Sequence, residues 1–94
     1  MKMPKVSRCD VTSCAYNTEH ECHAGAITVG DGTHPRCDTF FSAPSKGGDE
    51  DNKAKVGACK VPQCRYNESF ECTARNIKVG PAVDDADCLT FEQI

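Results

Sequence analysis

"CDVTSCAYNTEHEC" occupies Cys9–Cys22, and fifty residues later the chain reads "CKVPQCRYNESFEC" over Cys59–Cys72. Three cysteines, a Tyr-Asn pair and a Glu-Cys pair keep step while most residues between them change. A fixed period with free intervening chemistry is the signature of a repeat, so the fold has to be read per copy before anything else.

The register extends in both directions. Lys5 and Val6 answer Lys55 and Val56, and Ala24, Ile27, Val29 and Gly30 answer Ala74, Ile77, Val79 and Gly80 at the same offset of fifty. After the glycine the offset becomes fifty-one, so that Cys37, Thr39 and Phe40 answer Cys88, Thr90 and Phe91. The segment that absorbs the extra residue is "DGTHPR" in one copy and "PAVDDAD" in the other. Its endpoints are constrained and its chemistry reads as free.

These boundaries predict a first unit at residues 5–42, a flexible linker at 43–54 and a second unit at 55–94. The linker is rich in Gly, Ser, Pro and charge, which predicts a solvated segment without its own structure. Units of about forty residues rarely hold a fold by burial alone and need metals, disulfides or association. Core material is indeed thin, with 38% hydrophobic residues including eight cysteines, four Phe, two Tyr and no Trp.

The cysteine spacing is C-x4-C-x7-C-x14-C in Cys9, Cys14, Cys22 and Cys37, and C-x4-C-x7-C-x15-C in Cys59, Cys64, Cys72 and Cys88. Four thiolates complete the tetrahedral shell of a Zn²⁺ ion, and structural zinc sites are typically closed in this way. Two four-cysteine zinc sites are therefore expected, one ion per copy. Two disulfides per copy are the alternative, with three connectivities that sequence leaves open. A two-iron cluster is another, since a C-x4-C opening also occurs in plant-type iron-sulfur ligation. The absence of C-x2-C pairs separates the pattern from common zinc ribbons.

Structural zinc contributes about 10–16 kcal/mol to small peptides, more than the whole stability of many domains. Four thiolates on one Zn²⁺ carry a formal charge of about -2, which neighbouring backbone N–H groups must offset. The expected architecture is a small, metal-stabilised, loop-rich fold with short β-strands, built as two tandem four-cysteine zinc modules. Alternation of Ile27 with Val29, and of Ile77 with Val79, predicts a half-buried strand ending at Gly. "CDTFF" and "CLTFE" are expected to carry a second short strand. Turns, with at most one helical turn, are expected between the first and third cysteines.

Asn17 and Asn67 are read as turn residues that bond backbone groups. Tyr16, Tyr66, Phe40 and Phe91 are read as a small core beside each site. Phe41 is answered by Glu92, and this unmatched apolar residue is a candidate contact between copies or with a partner. His20, His23 and His34 have no counterparts in the second copy and are expected to be exposed spectators.

The formal charge is -3, and it divides evenly: four basic against five acidic residues in 1–42, two against three in 43–54, and five against six in 55–94. No clustered basic footprint of a nucleic-acid binder is visible. No apolar run approaches the roughly 18 residues that cross a bilayer, and no signal-like segment opens the sequence, so a cytoplasmic protein is expected. In a reducing compartment, cysteines favour metal or catalytic roles over disulfides. Four protein ligands leave zinc no open position, and neither copy shows a nucleophile with its base, so an enzyme is not expected.

The combined pattern resembles a family of small bacterial proteins known as domain of unknown function 1540. The resemblance rests on C-x4-C-x-Y-N-x4-C-x-A-x-x-I-x-V-G followed by C-x-T-F, present from Cys9 to Phe40 and again from Cys59 to Phe91. It implies that the four cysteines of each copy are metal ligands and that tandem copies are normal. It implies no biological process. The expected function is thus non-catalytic, two zinc sites stabilising modules for contact with an unidentified protein or for self-association. Metal storage or sensing and a thiol redox switch are the alternatives.

Overall fold

A computed structural model of the chain describes residues 3–30, 34–82 and 85–94. Among these residues nine short strands run in the order β1 (Lys5–Cys9), β2 (Asn17–Thr18), β3 (Glu21–Cys22), β4 (Ala26–Val29), β5 (Lys55–Cys59), β6 (Asn67–Glu68), β7 (Glu71–Cys72), β8 (Asn76–Ala82) and β9 (Asp85–Cys88). There is no helix among the described residues.

Apart from one small hairpin each, the two copies do not build separate sheets. One five-stranded sheet runs β4-β5-β1-β8-β9, so strands of the two copies interleave. β1 pairs in parallel with β8, placing Val6 beside Ile77 and Cys9 beside Val79. Reciprocally, β5 pairs in parallel with β4, placing Val56 beside Ile27 and Cys59 beside Val29. The first strands meet antiparallel at Lys5 and Lys55, where Val6 N–H donates to Ala54 O and Val56 N–H to Pro4 O, each at 2.9 Å. These equivalences describe an approximate two-fold axis near the Lys5–Lys55 pair. Both parallel ladders slip by one residue at equivalent places, Ser7 and Gly57, as β-bulges do.

Period-two alternation gives the sheet one apolar face. Val6, Val56, Ile27 and Ile77 are its largest fully buried residues, and Lys5, Lys55 and Asn76 lie exposed on the alternate positions. Repeat units that could not each bury a core therefore share one, as the shortage of apolar residues requires. The boundaries at 5–42 and 55–94 mark units of sequence, whereas the sheet is the work of both.

Three expectations about local structure change, the first being that the second Ile-x-Val strand does not end at its glycine but runs through Gly80 to Ala82. Between the first and third cysteines lies a two-residue hairpin, β2–β3 in one copy and β6–β7 in the other. Its turn has positive φ at Glu19 and His20, and at Ser69 and Phe70. Type I′ turns demand this, and Asn or Gly normally fills them. Here Asn17, just before the turn, compensates: its Oδ1 accepts from His20 N–H at 3.3 Å and its Nδ2 donates to Cys9 O at 2.8 Å. Asn67 repeats both bonds with Phe70 N–H and Cys59 O. The asparagines are backbone-bonding turn residues, as read from the sequence.

The strand expected in "CLTFE" ends at Cys88 instead of continuing through the threonine, and "CDTFF" forms no strand, only an isolated bridge of Cys37 with Val29. Phe40 N–H bonds back to Cys37 O at 3.2 Å, closing a turn. Thr39 Oγ1 then accepts from Thr28 N–H at 3.3 Å, and Thr90 Oγ1 from Lys78 N–H at 3.0 Å. A side-chain oxygen replaces the missing ladder partner, which accounts for a threonine at this place in both copies.

Residues 43–54 are largely exposed but laid down against the first copy. Gly47 N–H donates to Ala15 O, Asp49 N–H to His23 O and Ala54 N–H to Cys22 O, at 2.8–2.9 Å. Lys46 Nζ reaches the carbonyls of Thr12 and Cys14. Gly48, at φ +94°, rides so close over the His23 carbonyl that a side chain there would collide with it. His23 is not an exposed spectator. It is buried, and its Nδ1 lies 2.8 Å from Asn52 O and 3.1 Å from Asp49 O. Two carbonyl partners require that Nδ1 carry the proton.

Candidate metal centre

Each quartet of cysteines is brought together by the same four devices. Cys9 and Cys59 end β1 and β5, and Cys22 and Cys72 end β3 and β7. Cys14 and Cys64 follow a tight turn and bridge to Ser42 and Gln93. Cys37 and Cys88 sit opposite Val29 and Val79. The hairpin asparagine fastens the second device to the first, through the carbonyl of the cysteine that ends the strand.

Two small cavities result, each of about 10 Å³, about the room one water-sized body needs. One is lined by Cys9, Cys14, Cys22 and Cys37, the other by Cys59, Cys64, Cys72 and Cys88. Neither receives a cysteine of the other copy. All eight are free thiols. Tyr16 and Phe40 wall the first cavity, Tyr66 and Phe91 the second, so the aromatic residues shared by both copies stand beside the sulfurs as expected.

Each cavity is nevertheless completed by the opposite copy. Val79 and Ala86 line the first, and Val29 and Pro35 the second. The backbone bonds cross in the same sense. Asp10 N–H donates to Val79 O at 2.9 Å and Lys60 N–H to Val29 O at 2.6 Å. Cys37 N–H donates to Ala86 O at 2.7 Å and Cys88 N–H to Pro35 O at 2.8 Å. Sequence reading by copy misses this crossing. The available signal was the retention of Lys-Val ahead of the first cysteine in both copies, which marks the strand that pairs across.

The electrostatics resist charge on bare thiols and at the same time provide for it. Burial pushes the Cys37 and Cys88 thiols up to about 11, against N–H donors from Thr39 and Phe40 on one and from Thr90 and Phe91 on the other. Burial likewise raises Cys22 and Cys72, opposed by the N–H groups of Ala24 and Ala74, with further upward pressure from the neighbouring cysteines. Donors aimed at sulfur stabilise thiolate, and a cation in the cavity would cancel the mutual repulsion. Among the described residues, no three His, Cys, Asp or Glu side chains stand grouped as a ready-made metal site. The sulfurs share a cavity without being drawn into a closed coordination sphere, and the donor set fits a soft, tetrahedral ion by its chemistry.

The remaining candidates fall elsewhere. His20 lies 3.3 Å from Asp10 Oδ1. His34 is hydrogen-bonded to Asp87 and lies 3.8 Å from Asp85, while Arg36 Nε donates to Asp85 Oδ1 at 2.7 Å. None of the three histidines lines a thiol cavity. The length-variable segments, whose chemistry reads as free in the sequence, thus join the copies by opposite charge. Phe41 meets the Tyr16 ring of its own copy edge-on at 5.4 Å and 85°. In the other copy Glu92 does the same duty by accepting the Tyr66 hydroxyl at 3.1 Å and the Arg65 guanidinium at 2.6 Å.

The model of a family described as "Domain of Unknown Function (DUF1540)" matches the chain twice, over residues 8–46 and 58–91. Comparison with curated proteins and with solved structures found no match. Among the described residues, no helix is long and apolar enough to cross a membrane.

Proposed function

Since the chain belongs to the DUF1540 family in two tandem copies, we propose that it is a non-catalytic zinc protein of the cytoplasm. Its two four-cysteine sites, Cys9/Cys14/Cys22/Cys37 and Cys59/Cys64/Cys72/Cys88, each take one ion and lock the shared sheet as a surface for a protein partner or for self-association. One observation carries this reading: each cavity gathers all four cysteines of one copy, as free thiols, with backbone donors turned toward the sulfurs. Such a centre neutralises buried thiolates and supplies the stabilisation that a thin core lacks.

Storage or sensing is the weaker reading. Seven of the eight cysteines are buried and the eighth is half-buried, which opposes rapid exchange of an ion with solution. Native mass spectrometry with elemental analysis, on protein purified under reducing conditions without added metal, tests the proposal. Two zinc ions per chain that are lost together with structure on chelation are expected. Metal-free protein with undiminished structure, or a mass about eight protons lower from four disulfides, overturns it.

A further inference from the structure

On the face of the sheet turned away from the thiols, a concavity of about 850 Å³ opens where the two copies meet. Its lining holds four cations, Lys5, Lys53, Lys55 and Arg75, and no carboxylate, with Ser7 and Asn76 among the polar groups between them. This concentration is invisible in a sequence whose net charge is -3. It arises because the antiparallel register sets Lys5 directly opposite Lys55 and the parallel ladder sets Asn76, with Arg75 before it, beside Lys5.

Like charges placed opposite each other across a strand pair destabilise a sheet. Lys53 is relieved by Glu21 at 3.1 Å. Among the described residues, Lys5, Lys55 and Arg75 have no such partner. The approximate two-fold axis would repeat the arrangement on its other side, but Arg75 and Asn76 are answered there by Gly25 and Ala26, and Lys53 by Met3. The charge of this concavity is therefore not repeated by the symmetry: it comes from Arg75 of the second copy and Lys53 of the connecting segment, together with the lysines at the axis.

The geometry points to a binding site for a compact polyphosphate group, free or carried on a nucleotide. The opening lies in the size range of small-molecule sites, about 300–1,000 Å³. Arg75 offers a planar fork suited to phosphate oxygens, and the lysines act as point charges around it. A concavity this short does not track a polymer backbone, for which grooves lined with stacking aromatics are usual, and none of its lining residues is aromatic.

Amide chemical shifts of the full, metal-loaded chain, titrated with sodium tripolyphosphate and separately with a nucleoside triphosphate, test the site. Saturable, one-to-one shifts confined to residues 5–7, 53–56 and 73–76 are expected, weakening with added salt. K55Q/R75Q should weaken binding by about tenfold or more, as loss of charge-assisted bonds does, and K60Q, outside the concavity, should not. Equal response to both ligands identifies the polyphosphate group itself as what is recognised, and a preference for the nucleotide assigns additional contacts to its base or sugar. Absence of saturable shifts, wild-type affinity in K55Q/R75Q, or shifts centred on the cysteines from metal stripping would overturn the proposal. So would tighter binding of single-stranded DNA than of either phosphate ligand.

Discussion

Val79→Ala tests whether the thiol cavities are built across the copies. Val79 lies in the second copy, 3% exposed, and the ladder sets it beside both Cys9 and Cys88. Its side chain, however, lines the first cavity and not the second. Removing two buried carbons costs about 1.6 kcal/mol in transfer free energy. Incomplete collapse of the void adds up to about 1 kcal/mol, giving a loss of roughly 1.5–2.5 kcal/mol in urea unfolding of the reduced protein. Pulse alkylation with mass-spectrometric mapping then reads which thiols the weakened wall exposes. Faster labelling of Cys9, Cys14, Cys22 and Cys37 is expected, and Val29→Ala should transfer the effect to Cys59, Cys64, Cys72 and Cys88. If Val79→Ala instead sensitises the second quartet, or costs less than about 0.5 kcal/mol as a surface change would, the crossed construction is refuted.

Asn17→Ala removes one buried donor bond and one acceptor bond at the strained hairpin, and a loss of about 1–3 kcal/mol should appear in the same unfolding assay; Asn67→Ala, whose bonds are less buried, should cost no more. Gly30 has φ +103°, and a Cβ there would stand 2.5 Å from Val61 Cγ2, so Gly30→Ala should lower the melting temperature by several degrees. Gly25→Ala, which meets nothing within 4 Å, should shift stability by no more than about 0.5 kcal/mol, and a larger loss there would discredit the steric argument. Thr90→Val keeps the shape but leaves Lys78 N–H without its 3.0 Å acceptor; hydrogen exchange at that amide should accelerate relative to its neighbours.

The grouping of the cysteines was more legible than the sheet. Eight cysteines in two matched sets announce two clusters, and the Ile-x-Val strands follow from simple alternation. What escaped was anything requiring a partner from fifty residues away. Lys5–Cys9 has the buried alternation of Val6 and Cys9, but five residues carry no statement of which edge they join. The type I′ hairpins hid because Glu-His and Ser-Phe occupy positions where Asn-Gly would have advertised the turn. His23 escaped for the opposite reason: its counterpart Thr73 bonds Tyr66 O within its own copy, so comparing copies gave no hint of a histidine fastening residues 49–52.

The crossed sheet also changes what covalent linkage accomplishes. Two unlinked copies would have to find each other in solution before either Ile-x-Val strand gained its neighbour, and the encounter would depend on their concentration. Residues 43–54 make it an intramolecular event, with the effective concentration, in the millimolar range, that a short tether provides. A pair of identical chains about a two-fold axis must also duplicate every feature. Tethered copies are released from that obligation, and the chain uses the freedom: His23 and Gly48 secure the tether on one side, while Arg75 and Asn76 shape a cationic hollow on the other.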